Sequence, residues 1–310
     1  MHEGSRRAIA AAFIANLGIA IAKFVAFLAT GAASMLAESI HSLADTGNQG
    51  LLFLGGNRAR RAPTETHPFG YGRERYFWAF VVALVLFSVG ALFATYEGIE
   101  KLVHPHEIES PEWAFGVLSI AIVLESFSLR TAVHEASKVR GTRTWWQFIR
   151  TSKSPELPVV LLEDIGALVG LVFALIGVSL ATVTDEPAFD AMGSVAIGLL
   201  LGVIAILLAI ETKSLLMGEG ASPDELTTIT RAIDGSPDVE HLIHLRTEYL
   251  GPEDLLVATT VDFRPDADRR VGAAIDALEA RIREAVPHAK LIYVEPDEFR
   301  HEHDPPKEHA

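Results

Sequence analysis

Before residue 212 the chain runs in long apolar blocks separated by short polar breaks, and after it the apolar residues fall into short periodic sets. A bilayer core about 30 Å thick takes about 20 helical residues to cross. Six blocks are long enough: Ala10–Thr30, Ser34–Gly55, Phe77–Tyr96, Trp113–Val133, Val159–Val183 and Ala188–Ile210. They predict an all-α, six-helix transmembrane domain over residues 1–212. The first block is too long for a signal peptide, lacks a clear cleavage site and is followed at once by a second span.

The breaks carry a charge bias. Arg6, Arg7, Arg58, Arg60, Arg61, Arg73, Arg75, Arg130, Lys138, Arg140, Arg143, Arg150 and Lys153 fall on one side, and Lys101 alone falls on the other. Basic loops stay cytoplasmic, so both termini are predicted to be cytoplasmic. The 25-residue break between the fourth and fifth blocks contains Thr144–Ile149. Its paired tryptophans predict a short helix in the membrane interface. Gly166-x-x-x-Gly170 and Gly198-x-x-x-Gly202 permit close helix packing.

Behind the last block the period changes. Leu226, Ile229 and Ile233 mark an amphipathic helix, and Val271, Ile275, Leu278 and Ile282 mark another. Val257, Thr259, Val261 and Phe263 alternate as a strand face. Leu242–Leu250 and Leu291–Glu295 predict two more strands, with Gly251-Pro252 turning a hairpin. The order predicts a small open-faced α+β domain over 213–300 and a disordered polar tail over 301–310.

Composition narrows the function classes. The 310 residues include no cysteine, which removes disulfides and thiolate metal sites. A net charge of −14 argues against nucleic acid as a partner. Residues 221–310 hold 20 acidic and 10 basic residues, so the C-terminal part carries most of that charge.

The apolar blocks contain ionisable residues, and a charge within hydrocarbon is costly enough to require a partner or a task. Glu38, His41, Asp45, Asn48 and Gln49 stand in the second block, at spacings of three and four that put them on one helical stripe. The fifth block contains Glu163 and Asp164. At 1.5 Å per residue, Asp45 lies roughly 16 Å below the outer end of its span. Asp164 lies roughly 8 Å above the inner end of its own, so the two differ in depth by about 6 Å in a 30 Å core. His41, Asp45 and Asp164 are therefore able to converge. An imidazole with two or three carboxylates suits zinc, and also manganese, cobalt or iron(II); it disfavours magnesium and calcium. The bland alternative is a hydrogen-bonded network that only locks helices together. Asn16 and Lys23 share a face of the first span, where Lys23 is expected to snorkel or to pair with a carboxylate. Glu125 stands mid-way along the fourth block and is a candidate for a proton path.

These residues resemble the cation diffusion facilitator, or zinc transporter, family. The resemblance rests on Ala37–Asp45, on His67-Pro68-Phe69-Gly70-Tyr71-Gly72 and on Ser214–Glu219. Val159–Asp164 together with Asn48-Gln49 resembles the branch of zinc transporter nine. The resemblance implies a ferredoxin-like, metallochaperone-like cytoplasmic domain and a homodimer in a lipid bilayer. It also implies a non-enzymatic exchange of divalent metal for protons, in the cell (inner) membrane of a prokaryote. The family's metal pair in span two falls on His41 and Asp45. In span five the final ligand falls on Asp164 and the first on Val160, which cannot bind metal. Glu163, water, Asn16 or Glu38 is left to complete the shell, although Glu163 projects about 100° from Asp164 on an ideal helix.

Of the family's other sites, the loop ligand falls on His67, with Tyr71 in place of its second histidine. The cytoplasmic site falls on Glu295, with Tyr293 where a histidine would be and His244 displaced by one residue. A charge interlock falls on Arg73, with Glu219 as its candidate partner. A membrane metalloenzyme and a non-transporting sensor or scaffold are the competing classes. The first would call for more histidine ligands and an added base; the second would put the acidic domain in charge.

Overall fold

The long apolar runs fold as long helices because a backbone in hydrocarbon must satisfy its own hydrogen bonds. The structure, a computed structural model, describes residues 3–31, 33–105, 111–265 and 270–299; the side chains at 3–16, 33–34, 37–38, 41, 45 and 86–87 are outside the description. The tail at 301–310 lies outside the described residues.

Helix α1 spans Glu3–Thr30 and α2 spans Ala33–Arg58. The third apolar stretch is broken in geometry: α3 (Glu74–Val85) passes through a π-helical segment, Leu86–Ala91, into α4 (Leu92–Val103). Such a segment widens the helical turn and re-aims the faces on either side. Helix α5 (Pro111–Arg140), the short α6 (Trp145–Thr151), α7 (Glu156–Thr184) and α8 (Ala188–Met217) follow. Among the described residues, Glu74–Val103, Pro111–Arg140, Glu156–Thr184 and Ala188–Met217 are long and apolar enough to cross a membrane; Leu17–Thr30 is a shorter apolar helix. Lipid does not drive helices together, so small residues and buried polar pairs carry much of the packing. Leu118, Leu171, Val178, Ile197, Leu201 and Leu208 form the core of this unit. Lys101, 3% exposed, donates to Asp190 Oδ2 at 3.0 Å and to the Gly31 carbonyl at 3.3 Å. That pair joins α4, α8 and the α1–α2 turn.

The chain divides into two units, residues 1–60 with 74–213 and residues 61–73 with 214–310. The second unit thus takes in the loop between α2 and α3 as well as the C-terminal part. It begins as α8 ends: Gly218 has φ +113°, and a Cβ there would lie 2.3 Å from a Glu248 carboxylate oxygen. Only glycine suits both the conformation and the space. Helix α9 (Pro223–Asp234) starts on a capping box between Ser222 and Glu225, with Pro223 opening the helix. Strands β1 (Val239–Gly251) and β2 (Asp254–Phe263) pair antiparallel, and β3 (Ala289–Pro296) adds in parallel to β2 after helix α10 (Val271–Ala285). The sheet order is β1-β2-β3. Ile229, Ile233, Val257, Val261, Leu278 and Ile282 close one core between sheet and helices.

A bulge between Leu242 and His244 alters an expectation. With that extra residue in β1, His244 pairs with Thr260, and Thr260 pairs with Glu295. The displacement of His244 by one position in sequence is absorbed by the bulge. His244 and Glu295 therefore stand in one cross-strand row.

Candidate metal centre

Asn48 of α2 meets α7. Asn48, wholly buried, donates from Nδ2 to Glu163 Oε1 at 2.8 Å. Glu163 and Asp164 are 4% and 6% exposed, so both carboxyls sit within the bundle. Asp164 accepts a hydrogen bond from Ser128 Oγ of α5 at 3.1 Å. On a helix Asp45 lies one turn from Asn48, and His41 one further turn on. The side chains of His41, Asp45, Glu38 and Asn16 lie outside the described residues; among those described, Asn48 makes a polar contact from α2 to α7. Among the described residues no group of three or more His, Asp or Glu is placed to hold a metal ion.

Further buried polar groups surround this junction. Lys23 is fully buried rather than snorkelling, and donates to Ser42 Oγ at 2.7 Å, joining α1 to α2. Glu125 of α5 is 5% exposed and interacts electrostatically with Lys23 and with Asp164. Ser42 and Ser128 are not singled out by sequence. The available signal is spacing, since Ser42 follows His41 and Ser128 lies one turn beyond Glu125. Asn48 Oδ1 is buried with no hydrogen-bond partner among the described residues. A buried carbonyl oxygen without a partner costs about 1–3 kcal/mol, and it is a donor atom that a cation accepts. Val160, at the position where the resemblance implies a ligand, is half-buried on α7.

The model of the cation efflux transmembrane domain matches residues 9–217. The chain belongs to the cation efflux, or cation diffusion facilitator, family. It is an integral membrane protein, and the transport domain of the family covers both α2 and α7. Among curated relatives, the mouse (Mus musculus) protein named proton-coupled zinc antiporter SLC30A9, mitochondrial, is 34% identical over 244 residues, 78% of this chain and 43% of that one. Metal tolerance protein C4 of Arabidopsis thaliana is 28% identical over 263 residues, 84% of this chain and 58% of that one. Magnetosome protein MamB of Paramagnetospirillum magneticum is 24% identical over 285 residues, 91% of this chain and 90% of that one. The chain thus spans less than half the length of the zinc antiporter it matches.

The other positions implied by the family resemblance are spread over the second unit. His67 is exposed in the 61–73 loop, its ring tilted against that of Tyr71 with centroids 4.6 Å apart. Its Nδ1 lies 3.1 Å from Thr66 Oγ1. Glu295 accepts from Thr260 Oγ1 at 3.1 Å, while His244 Nε2 accepts from Arg246 Nε at 2.7 Å. Tyr293 is exposed. Arg73 pairs with Glu248 of β1, an acidic partner that sequence position does not single out. Glu219 gives its backbone carbonyl to the Tyr249 N–H at 2.8 Å.

Proposed function

We propose that this protein exports a divalent cation from the cytoplasm in exchange for protons. Zinc is the first candidate, with manganese, cobalt and iron(II) behind it. The observation that carries the reading is the Asn48–Glu163 hydrogen bond, because it ties the helix bearing His41 and Asp45 to the acidic pair of α7. His41, Asp45 and Asp164 are the proposed ligands. Glu163, Glu38, Asn16, Asn48 Oδ1 or a water completes the shell. Zinc leads because it accepts tetrahedral nitrogen and oxygen coordination; valine at position 160 removes one ligand of a four-ligand zinc site, and this keeps manganese, cobalt and iron(II) in view, which accept the same donor types.

The chemistry of exchange follows from protonation. Metal binds neutral imidazole and ionised carboxylates, so loading displaces protons. Facing the outer side, His41 and a carboxylate regain protons and the metal leaves; histidine suits this because its ordinary pKa is about 6.5. In this reading the six spans form a transport domain, with spans one, two, four and five rocking against spans three and six. The second unit takes a ferredoxin-like, metallochaperone-like role and joins two copies into a homodimer. Both termini lie in the cytoplasm, and the membrane is the cell (inner) membrane of a prokaryote. His67 and Glu295 stand at the family's auxiliary metal positions, and Arg73 forms a charge interlock, with Glu219 its partner by sequence position and Glu248 the acidic residue it meets in the structure.

Purified protein in liposomes, loaded with zinc against a proton gradient, tests this. Asp45→Ala is expected to abolish proton-driven uptake. Unchanged proton-coupled transport in that variant would falsify the site. Competition by manganese, cobalt and iron(II) in the same vesicles ranks the cargo.

A further inference from the structure

The segment between the fourth and fifth spans is built for an anionic surface. Residues 136–155 hold five basic residues and no acidic one. Lys138 pairs with Glu135, and Arg150 with Glu211 at 2.6 Å. Among the described residues, Arg140 and Arg143 pair with no carboxylate. Arg143 donates to the carbonyls of Arg140 and Val139 and to Thr151 Oγ1. Arg140 donates to the Arg143 carbonyl, and its Nε makes no hydrogen bond among the described residues. Both guanidiniums lie against rings, Arg140 at 4.5 Å from the Trp145 centroid and Arg143 at 5.5 Å from that of Phe148. A ring face attracts a cation without cancelling its charge.

Helix α6 holds these groups in place. Thr144 and Gln147 close a capping box at its start. Phe148 is 1% exposed and Ile149 packs on the core of the transmembrane unit, so one face is pinned to the bundle. Trp145, edge-on to Phe148 with ring centroids 6.4 Å apart, and Trp146 are 37% and 56% exposed. The pinned helix follows directly on the apolar α5, whose last residue is Arg140. Tryptophan prefers the depth of the headgroups, and that is where a guanidinium meets phosphate bidentately.

We propose that Arg140 and Arg143, framed by Trp145 and Trp146, form a binding site for the headgroup of an anionic phospholipid. The bilayer supplies the ligand; zwitterionic lipid offers the same acyl chains without the net charge. The site is independent of the metal centre and does not rest on the proposed transport.

The test is native mass spectrometry of the full-length protein in detergent, titrated with phosphatidylglycerol or with phosphatidylcholine of the same acyl chains. The wild type is expected to bind phosphatidylglycerol more tightly, and the preference is expected to fall as salt is raised. Each basic residue near an anionic surface contributes about five-fold in affinity, so Arg140→Gln with Arg143→Gln is expected to lower it roughly 25-fold. Arg140→Gln alone removes one guanidinium and spares the carbonyl contacts of Arg143; about a five-fold loss is expected if the double variant does not fold. Equal binding of the two lipids by the wild type overturns the proposal. So does an unchanged preference in both variants, or displacement of the lipid by millimolar inorganic phosphate, which would make this a free-anion site.

Discussion

Asn48 Nδ2 stands 2.8 Å from Glu163 Oε1, and the two side chains are buried on helices 115 positions apart in sequence. Removing one partner leaves the other desolvated and unpaired, at a cost of about 1–3 kcal/mol. Asn48→Leu is therefore expected to lower thermal stability in detergent and to slow transport at least ten-fold. Glu163→Gln keeps an acceptor for Asn48 and removes only the charge, so its stability is expected to match the wild type. If Asn48→Leu leaves both melting temperature and transport untouched, the contact neither registers the helices nor serves the site.

Two glycines of one motif differ in what surrounds them. A Cβ on Gly198 would lie 2.2 Å from Thr95 Oγ1 and 2.6 Å from the Thr95 nitrogen, whereas one on Gly202 would meet nothing nearer than 3.7 Å. The first glycine is where α8 touches α4; the second has room. Gly198→Ala is expected to force the helices apart and cost about 1–3 kcal/mol, the usual scale of overpacking. Gly202→Ala is expected to be neutral or slightly stabilising, since alanine is the better helix former. Melting temperatures of the two variants decide it, and equal effects would contradict the packing described.

The apolar blocks were legible in sequence because a bilayer imposes a length, and the second unit was legible because its strands alternate and its helices keep a 3.6-residue period. The stripe on α2 was legible for the same periodic reason. Partners across the bundle were not. Nothing local in the chain joins Asn48 to Glu163, Lys23 to Ser42 or Lys101 to Asp190, because each pair is made by helix packing between distant segments. The row His244–Thr260–Glu295 was hidden by a bulge, which shifts register without a composition signal. The π-helical turn at Leu86–Ala91 left no trace either, since its residues are as apolar as their neighbours.

Arg73 has two acidic residues to choose between. The structure pairs it with Glu248, and sequence position nominated Glu219. Both side chains of the Arg73–Glu248 pair are partly exposed, so the pair contributes little to stability, about 0–1 kcal/mol. Its test is functional. Arg73→Glu is expected to impair transport, and Glu248→Arg in the same chain is expected to restore it. If Glu219→Arg restores activity and Glu248→Arg does not, the working interlock is the one nominated by sequence.

Glu225 joins three elements of the second unit. Its Oε1 accepts from Tyr249 Oη at 2.7 Å and lies 2.9 Å from His288 Nε2, and its Oε2 accepts from the Ser222 N–H at 2.7 Å. Partial burial opposes ionisation, but the hydrogen bonds from Tyr249 and Ser222 and the neighbouring His288 outweigh it, and the carboxyl is held below its ordinary value of 4.5. A depressed folded value means that the fold prefers the ionised form. The stability this contributes is complete above the unfolded value and is lost as pH falls through the folded one. Glu225→Gln keeps the capping box, which accepts glutamine, and puts an uncharged amide nitrogen in place of the oxygen that faces Tyr249 and His288. The wild type is therefore expected to melt higher than Glu225→Gln at about pH 7 and to lose that advantage as pH falls below 4.5 and through the folded value. Melting of the full-length protein in detergent across this range checks the sign. A difference that persists undiminished in acid, or that grows there, would mean the carboxylate charge is not what ties α9 to Tyr249 and His288.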